Sequence, residues 1–260
     1  MKKDNVFMHY RPQERPFVER MLEVAERVDE RQTPHLTDFL DPRQAKIVQA
    51  IIGARADLLV SFDGGHEEAE RVRALIAPSY WQPETDDFAL NFLRLEISGE
   101  YVSLSHGDYL GALLGLGLKR GKLGDLSVHQ DGCDLVVTQD IADFIRLNLG
   151  QAGRANVYAT EIERERYRAV RIELSEKEFT VMSLRLDAVA SDAFGMSRSK
   201  VVDPIKAGKL QLNWQVVEDP SAQVEEGDVL SLRGFGRVKI LEVGGQTKKG
   251  RTFLKIGKYL

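Results

Sequence analysis

Between Phe88 and Ile162 the apolar residues fall into six runs that alternate between a period of two and a helical period, and this order constrains the chain more than any other feature. LNFLRLEIS is predicted as a strand, GDYLGALLGLGLK as a helix, DLSVH and CDLVVT as strands joined by the turn QDG, QDIADFIRLNL as a helix and ANVYATEI as a strand. The resulting order, β-α-β-β-α-β, is that of the split βαβ unit of ferredoxin-like folds. A chain of 260 residues has room for more than this one unit, so a multidomain α+β protein is expected.

Upstream, Phe17, Val18, Met21, Leu22, Ala25 and Val28 lie on one helical stripe. Asp41-Pro42 has the form of an N-cap followed by proline at the first helical position, and the apolar spacing continues that helix to Gly53. ADLLVSFDGG reads as a strand and turn, and Glu67 to Ile76 as a helix stopped by Pro78. SYWQPETDD then marks a boundary, which makes residues 1–84 an α/β domain. Downstream, Val170, Ile172 and Leu174 alternate as a further strand, and the second boundary falls near Phe179 to Ser183, giving a middle domain over 85–180 and a terminal one over 182–260.

The terminal segment begins with two short helices. Leu184, Leu186, Val189, Ala190 and Ala193 form an apolar face that Gly195 ends, and Ser197 is a candidate N-cap for a second helix that runs to Gly208 with Pro204 inside it. The strands KLQLNWQVV, VLSLRGFGRVKILEV and TFLKIGKYL follow. The start of the second helix offers free backbone N–H groups with Arg198 and Lys200 in its first turn, which suits a phosphate. Charge is uneven in the same sense. From Met182 to Leu260 there are 13 Lys and Arg against 9 Asp and Glu, on a chain whose net charge is −4. A basic module on an acidic body is the footprint of a local polyanion-binding surface.

Arg185-Leu186-Asp187, Gly195, Ser197-Arg198, Ile205, Gly208, Asn213, Pro220 and Gly227-Asp228 together closely resemble the S-four family of RNA-binding domains, named after a small-subunit ribosomal protein. Trp214 stands where that family usually has glycine. The middle stretch HGDYLGALLGLGLKRGKLGD and Trp214 are further similar to the YlmH-like bacterial proteins, encoded near cell-division genes, in which an α/β domain and an RNA-recognition-motif-like (RRM-like) domain precede a terminal S-four domain. The resemblance implies binding to structured RNA, ribosomal RNA or tRNA, on the large ribosomal subunit and in the handling of stalled translation. It assigns phosphate and ribose contacts to Arg185, Ser197, Arg198, Ser199, Lys200, Lys206, Lys209 and Asn213, with Lys248, Lys249 and Arg251 as an extension. Arg185 has a second reading, a pair with Asp187.

In an RNA-recognition motif, exposed aromatics on the sheet stack on bases. Leu93, Leu95, Ile97, Leu135, Val136 and Val137 are read as filling those positions here, which leaves Tyr158 as the well-placed aromatic. Catalytic readings find less support. Arg185-Leu186-Asp187 also occurs in pseudouridine synthases, but there within a large separate catalytic domain. The glycines at 111, 115, 117 and 121 lack the Gly-Lys-Ser or Gly-Lys-Thr of a phosphate loop. His66, His106 and Asp108 have no local partner set that demands metal or base chemistry, and a helix cap suits His106 or Asp108 better. Cys133, the single cysteine, excludes an internal disulfide and is expected as a buried thiol. No apolar run reaches the roughly 20 residues of a membrane span, and the first thirty residues lack the pattern of a secretory signal. The expectation is a cytoplasmic, non-catalytic RNA binder without a cofactor. An RNA-modifying enzyme and a cell-division-linked protein-interaction module remain as alternatives.

Overall fold

The computed structural model describes Tyr10, Pro12 and residues 14–99, 103–170 and 173–259, and the chain divides into two units, residues 1–170 and 171–260. In the first unit, α1 (Arg15–Arg31) and α2 (Pro42–Gly53) pack on an antiparallel sheet of order β1-β3-β2, formed by His35–Leu36, Arg73–Pro78 and Leu58–Asp63. Of the stripe read from the sequence, Val18, Met21, Ala25 and Val28 are buried, joined by Val24 from outside it, while Phe17 and Leu22 are partly buried; they pack in one core with Ile47, Val48, Ile51 and Ile52. Asp41 caps α2 as expected, accepting from the Gln44 N–H at 2.8 Å while Gln44 Oε1 accepts from the Asp41 N–H at 3.0 Å.

The helix expected over Glu67 to Ile76 is not formed. Residues 64–72 run as turns, and β3 follows as the central strand with all six residues buried. Such a strand reads as a continuous apolar run, which a periodicity test does not separate from a buried helix. It also carries Arg73, 7% exposed, whose guanidinium donates to the carbonyls of Thr37, Phe88 and Ala89 at 2.8, 2.7 and 3.1 Å. The carbonyls satisfy Nε and Nη1 and so offset part of the cost of burying the charge.

The split βαβ segment forms a five-stranded antiparallel sheet of order β5-β6-β4-β8-β7, from Leu123–His129, Gly132–Thr138, Leu90–Ser98, Ala155–Ile162 and the short Gln151–Ala152. α3 (His106–Gly115) and α4 (Gln139–Asn148) complete it, and α3 ends earlier than expected, just before Gly117 at φ +83°. Leu93, Leu95, Leu135 and Val137 belong to the core shared with these helices, as do Tyr109, Ile145 and the fully buried Cys133. Burial raises the thiol's pKa far above its ordinary value.

The second unit is a six-stranded antiparallel sheet of order β11-β10-β12-β13-β14-β9, under α5 (Leu186–Phe194) and α6 (Arg198–Lys206). Its strands are Leu174–Val181 (β9), Leu210–Leu212 (β10), Gln215–Val216 (β11), Val229–Leu232 (β12), Gly236–Gln246 (β13) and Thr252–Tyr259 (β14). The strand expected from Val170 begins only at Leu174, and Ile172 lies outside the described residues. The sequence places the second boundary at 180–182, whereas β9 pairs along all eight residues with β14 and clusters with the terminal unit. Two of the expected strands are hairpins. Asn213 and Trp214, at φ +51° and +62°, make a two-residue turn between β10 and β11, and Gly234 at φ +87° turns β12 into β13. The positive φ at 214 is the reason glycine suits that position, and tryptophan occupies it here against its steric preference.

Candidate nucleic-acid interface

The interface is built around Asp187. Leu186, Val189, Ala190 and Ala193 bury one face of α5, and Val201 and Ile205 bury one face of α6. Gly195, at φ +66°, ends the first helix, so that the chain turns and Ser197 opens the second. This brings Arg198 back over the first turn of α5. Its Nη2 donates to both carboxylate oxygens of Asp187, at 2.9 and 3.0 Å, while Arg185 donates to them through Nε and Nη2 at 3.2 and 3.1 Å. The Asp187 side chain is 6% exposed and that of Arg198 is 54% exposed, so a buried anion holds an arginine whose remaining donors face water. Burial opposes ionisation of Asp187, and the two guanidiniums overcome it and hold its carboxyl below the ordinary range.

Ser197, Arg198, Ser199 and Lys200 are all exposed at the start of α6. The Ser197 hydroxyl meets that of Ser199 at 3.2 Å and does not cap the helix. The N–H groups of Arg198 and Ser199 therefore remain available to an incoming acceptor, whereas that of Lys200 already donates to the Ser197 carbonyl at 2.9 Å. Lys206 and Lys209 are exposed at the other end of α6. Asn213 is placed differently: its side-chain amide donates to Asp228 at 2.7 Å and its side-chain carbonyl accepts from the Val229 N–H at 2.9 Å, so both ends serve the β10–β11 turn. Lys248 and Lys249 are exposed in the turn before β14, while Arg251 is anchored to the hydroxyl and carbonyl of Thr180 on β9. The sequence left Arg185 between an RNA contact and a pair with Asp187, and in the structure it makes the pair. The reach of Arg198 to the same carboxylate, eleven residues away, has no signature in local spacing.

In the first unit the sheet face that an RNA-recognition motif offers to bases is covered by the chain itself. Leu93, Leu95, Leu135 and Val137, read from the sequence as occupying the stacking positions, point instead into the helix-covered core, because Leu93 and Leu95 on β4 share their side of the sheet with the helices. The opposite face carries Phe92, Arg94, Asp134 and Val136. Phe39, Phe92 and Val136 form a buried cluster there, with Tyr167 packed against it, stacked on His66 at 5.2 Å and bonded to Ser127 at 2.9 Å. Asp134, fully buried, accepts from Arg94 Nε and Nη2, both at 2.8 Å, and from the backbone N–H, Nε and Nη2 of Arg168 at 3.0, 3.1 and 3.0 Å. Tyr158 on β8 is half exposed. Asp108 completes the capping box of Ser105 at the start of α3, and His66 Nε2 lies 3.2 Å from Asp125. Among the described residues no three His, Cys, Asp or Glu side chains are grouped to hold a metal, and no helix is long and apolar enough to cross a membrane.

A helix pair over a small sheet, with an arginine and lysine at an open helix start, defines an RNA-binding module of the S4 type, and comparison with known proteins agrees. The S4 domain family matches residues 184–230, the family described as "Putative RNA-binding domain in YlmH" matches 83–166, and the family "YlmH, N-terminal" matches 13–81. The chain is 41% identical over 247 residues to the "Ribosome-associated protein quality control protein P2" of Bacillus subtilis (strain 168), covering 95% of this chain and 96% of that protein. It is also similar to a solved structure, "Cell division protein ylmH from Streptococcus pneumoniae", at 28% identity and a TM-score of 0.53, over 62% of this chain and 98% of that one. The chain belongs to the YlmH family.

Proposed function

We propose that this protein is a non-catalytic, cytoplasmic RNA binder that associates with the large ribosomal subunit and acts on stalled translation complexes. It would contact ribosomal RNA or tRNA through Arg198, Lys200 and the exposed start of α6. The observation that carries the reading is the Asp187 carboxylate, which fixes Arg198 beside uncapped helix N–H groups in a basic unit. Arg185 supports this arrangement, Ser197 and Ser199 border it, Lys206 and Lys209 are exposed at the other end of α6, and Lys248 and Lys249 lie exposed in a hairpin of the same unit. The name of the Bacillus subtilis relative supports a place in ribosome-associated quality control. The test is cosedimentation of the full chain with separated ribosomal subunits at two salt concentrations, beside an Arg198→Glu, Lys200→Glu variant. Salt-sensitive binding to the large subunit that the variant loses is the expected result. Equal binding by the variant would move the contact elsewhere.

A further inference from the structure

We propose that Arg71 and Arg120 form a second phosphate-binding site, for the RNA backbone, in the first unit. The proposal rests on the RNA-binding reading above and addresses the middle domain, whose sheet face is covered over β4 and β6 by Tyr167 and Arg168 and keeps Tyr158 on β8 as its exposed aromatic. Among the described residues Arg43, Arg94, Arg146, Arg164, Arg168, Arg185 and Arg198 are each bridged to a carboxylate. Arg71 and Arg120 are not bridged to any carboxylate among the described residues, although both are partly buried. They converge on one acceptor. Arg71 Nε donates to the Leu123 carbonyl at 3.1 Å and its Nη2 to that of Phe39 at 3.0 Å, while Arg120 Nη1 donates to the same Leu123 carbonyl and to that of Gly124 at 3.2 Å.

Two guanidiniums on a single carbonyl oxygen leave a concentrated positive charge that backbone dipoles alone do not neutralise. Asp125, Glu70 and Asp41 act on Arg71 from a distance, and the first two also act on Arg120. The oxygens of Asp125 are already engaged, by His66 Nε2 at 3.2 Å and by the N–H groups of Glu70 and Arg71 at 2.7 and 3.1 Å. Burial first, and then the neighbouring Arg71, lower the pKa of Arg120 to about 10, against the opposing pull of Asp125 and Glu70. A phosphodiester oxygen would supply counter-charge, accepting from donors that the two forks do not direct at carbonyls. Lys119, exposed beside Arg120, adds charge of the same sign.

The experiment compares the wild-type chain with Arg120→Gln, Arg120→Lys and the Arg198→Glu, Lys200→Glu variant. Binding to intact large subunits and to extracted ribosomal RNA is followed across a salt series, with a thermal melt of each protein. Loss of one phosphate contact lowers the slope of log K against log salt by about 0.7–0.9. Arg120→Gln is expected to show that decrease on both targets, and Arg120→Lys to keep most of the wild-type slope. Four outcomes overturn the site: a wild-type slope in Arg120→Gln; equal losses in the Gln and Lys variants, which mark a packing role; an effect on intact subunits but not on extracted RNA, which marks an acidic protein partner; and absence of wild-type binding, which removes the RNA reading as well. Loss of binding in the α6 variant with a wild-type slope in Arg120→Gln removes this site alone.

Discussion

Asp134 keeps its charge without solvent exposure because Arg94 and Arg168 enclose it. Burial works against ionisation, and the hydrogen bonds from the two arginines outweigh it, so the carboxyl titrates well below the ordinary range. A depressed folded pKa contributes stability that is fully present above the unfolded value, about 3.9, and is lost as pH falls through the folded one. Arg168 supplies three donors to this carboxylate, its backbone N–H and two side-chain nitrogens, and also bridges Asp131 at 2.8 Å. Arg168→Ala removes one of the two guanidiniums from a buried carboxylate that keeps Arg94 and the backbone N–H, and the expected loss at neutral pH is about 1.5–3 kcal/mol. The difference from wild type shrinks as acid protonates Asp134. Denaturant melts at pH 7 and near pH 3 check this, and a difference that stays constant would mean that Arg168 acts through packing and not through charge.

At the scale of elements, legibility followed how local the determining signal was. The α2 cap, the α5 stop at Gly195 and the β-α-β-β-α-β order could be read, because each depends on a few adjacent residues or on one period. β3 could not, since its burial is set by α1, α2 and the turn at Thr85–Phe88, none of them adjacent to it in the sequence. Nor could the covered sheet face. Phe92 and Val136 alternate with Leu93 and Val137, and Phe39 and Tyr167, both distant in the sequence, are what make the second face apolar. At the candidate site the exposed basic residues of α6 were visible, whereas the sharing of Asp187 between two helices was not. The QDG turn was read as joining β5 to β6, and the structure adds why its glycine is needed. A Cβ on Gly132 would stand 2.0 Å from the Leu95 carbonyl oxygen on β4, where neither atom has a flexible side chain with which to yield. Gly132→Ala is therefore expected to cost at least the ~1–3 kcal/mol of an overpacked core and to loosen the β4–β6 pairing. Amide exchange at Leu95 and Cys133 reads that pairing directly, and protection equal to wild type would refute the steric account.

For the molecule as a whole, the question is whether RNA affinity follows net charge or local placement. The chain carries −4 overall, and its basic balance is confined to the terminal segment. Exposed charges more than roughly 8–10 Å apart are largely screened at physiological salt. A contact made by Arg198 and Lys200 should therefore be insensitive to charge added outside the interface. Glu19 and Glu23 are exposed on α1, so Glu19→Lys, Glu23→Lys raises the net charge by the amount that Arg198→Glu, Lys200→Glu lowers it. If net charge governed binding, the two double variants would shift affinity by similar factors in opposite directions. The structure predicts asymmetry. The α1 variant should stay within about twofold of wild type with an unchanged salt slope, while the α6 variant loses two phosphate contacts and about 1.4–1.8 units of slope. Measuring both slopes on the same ribosomal RNA decides between them, and a matched gain in the α1 variant would show that the acidic body tunes affinity at long range.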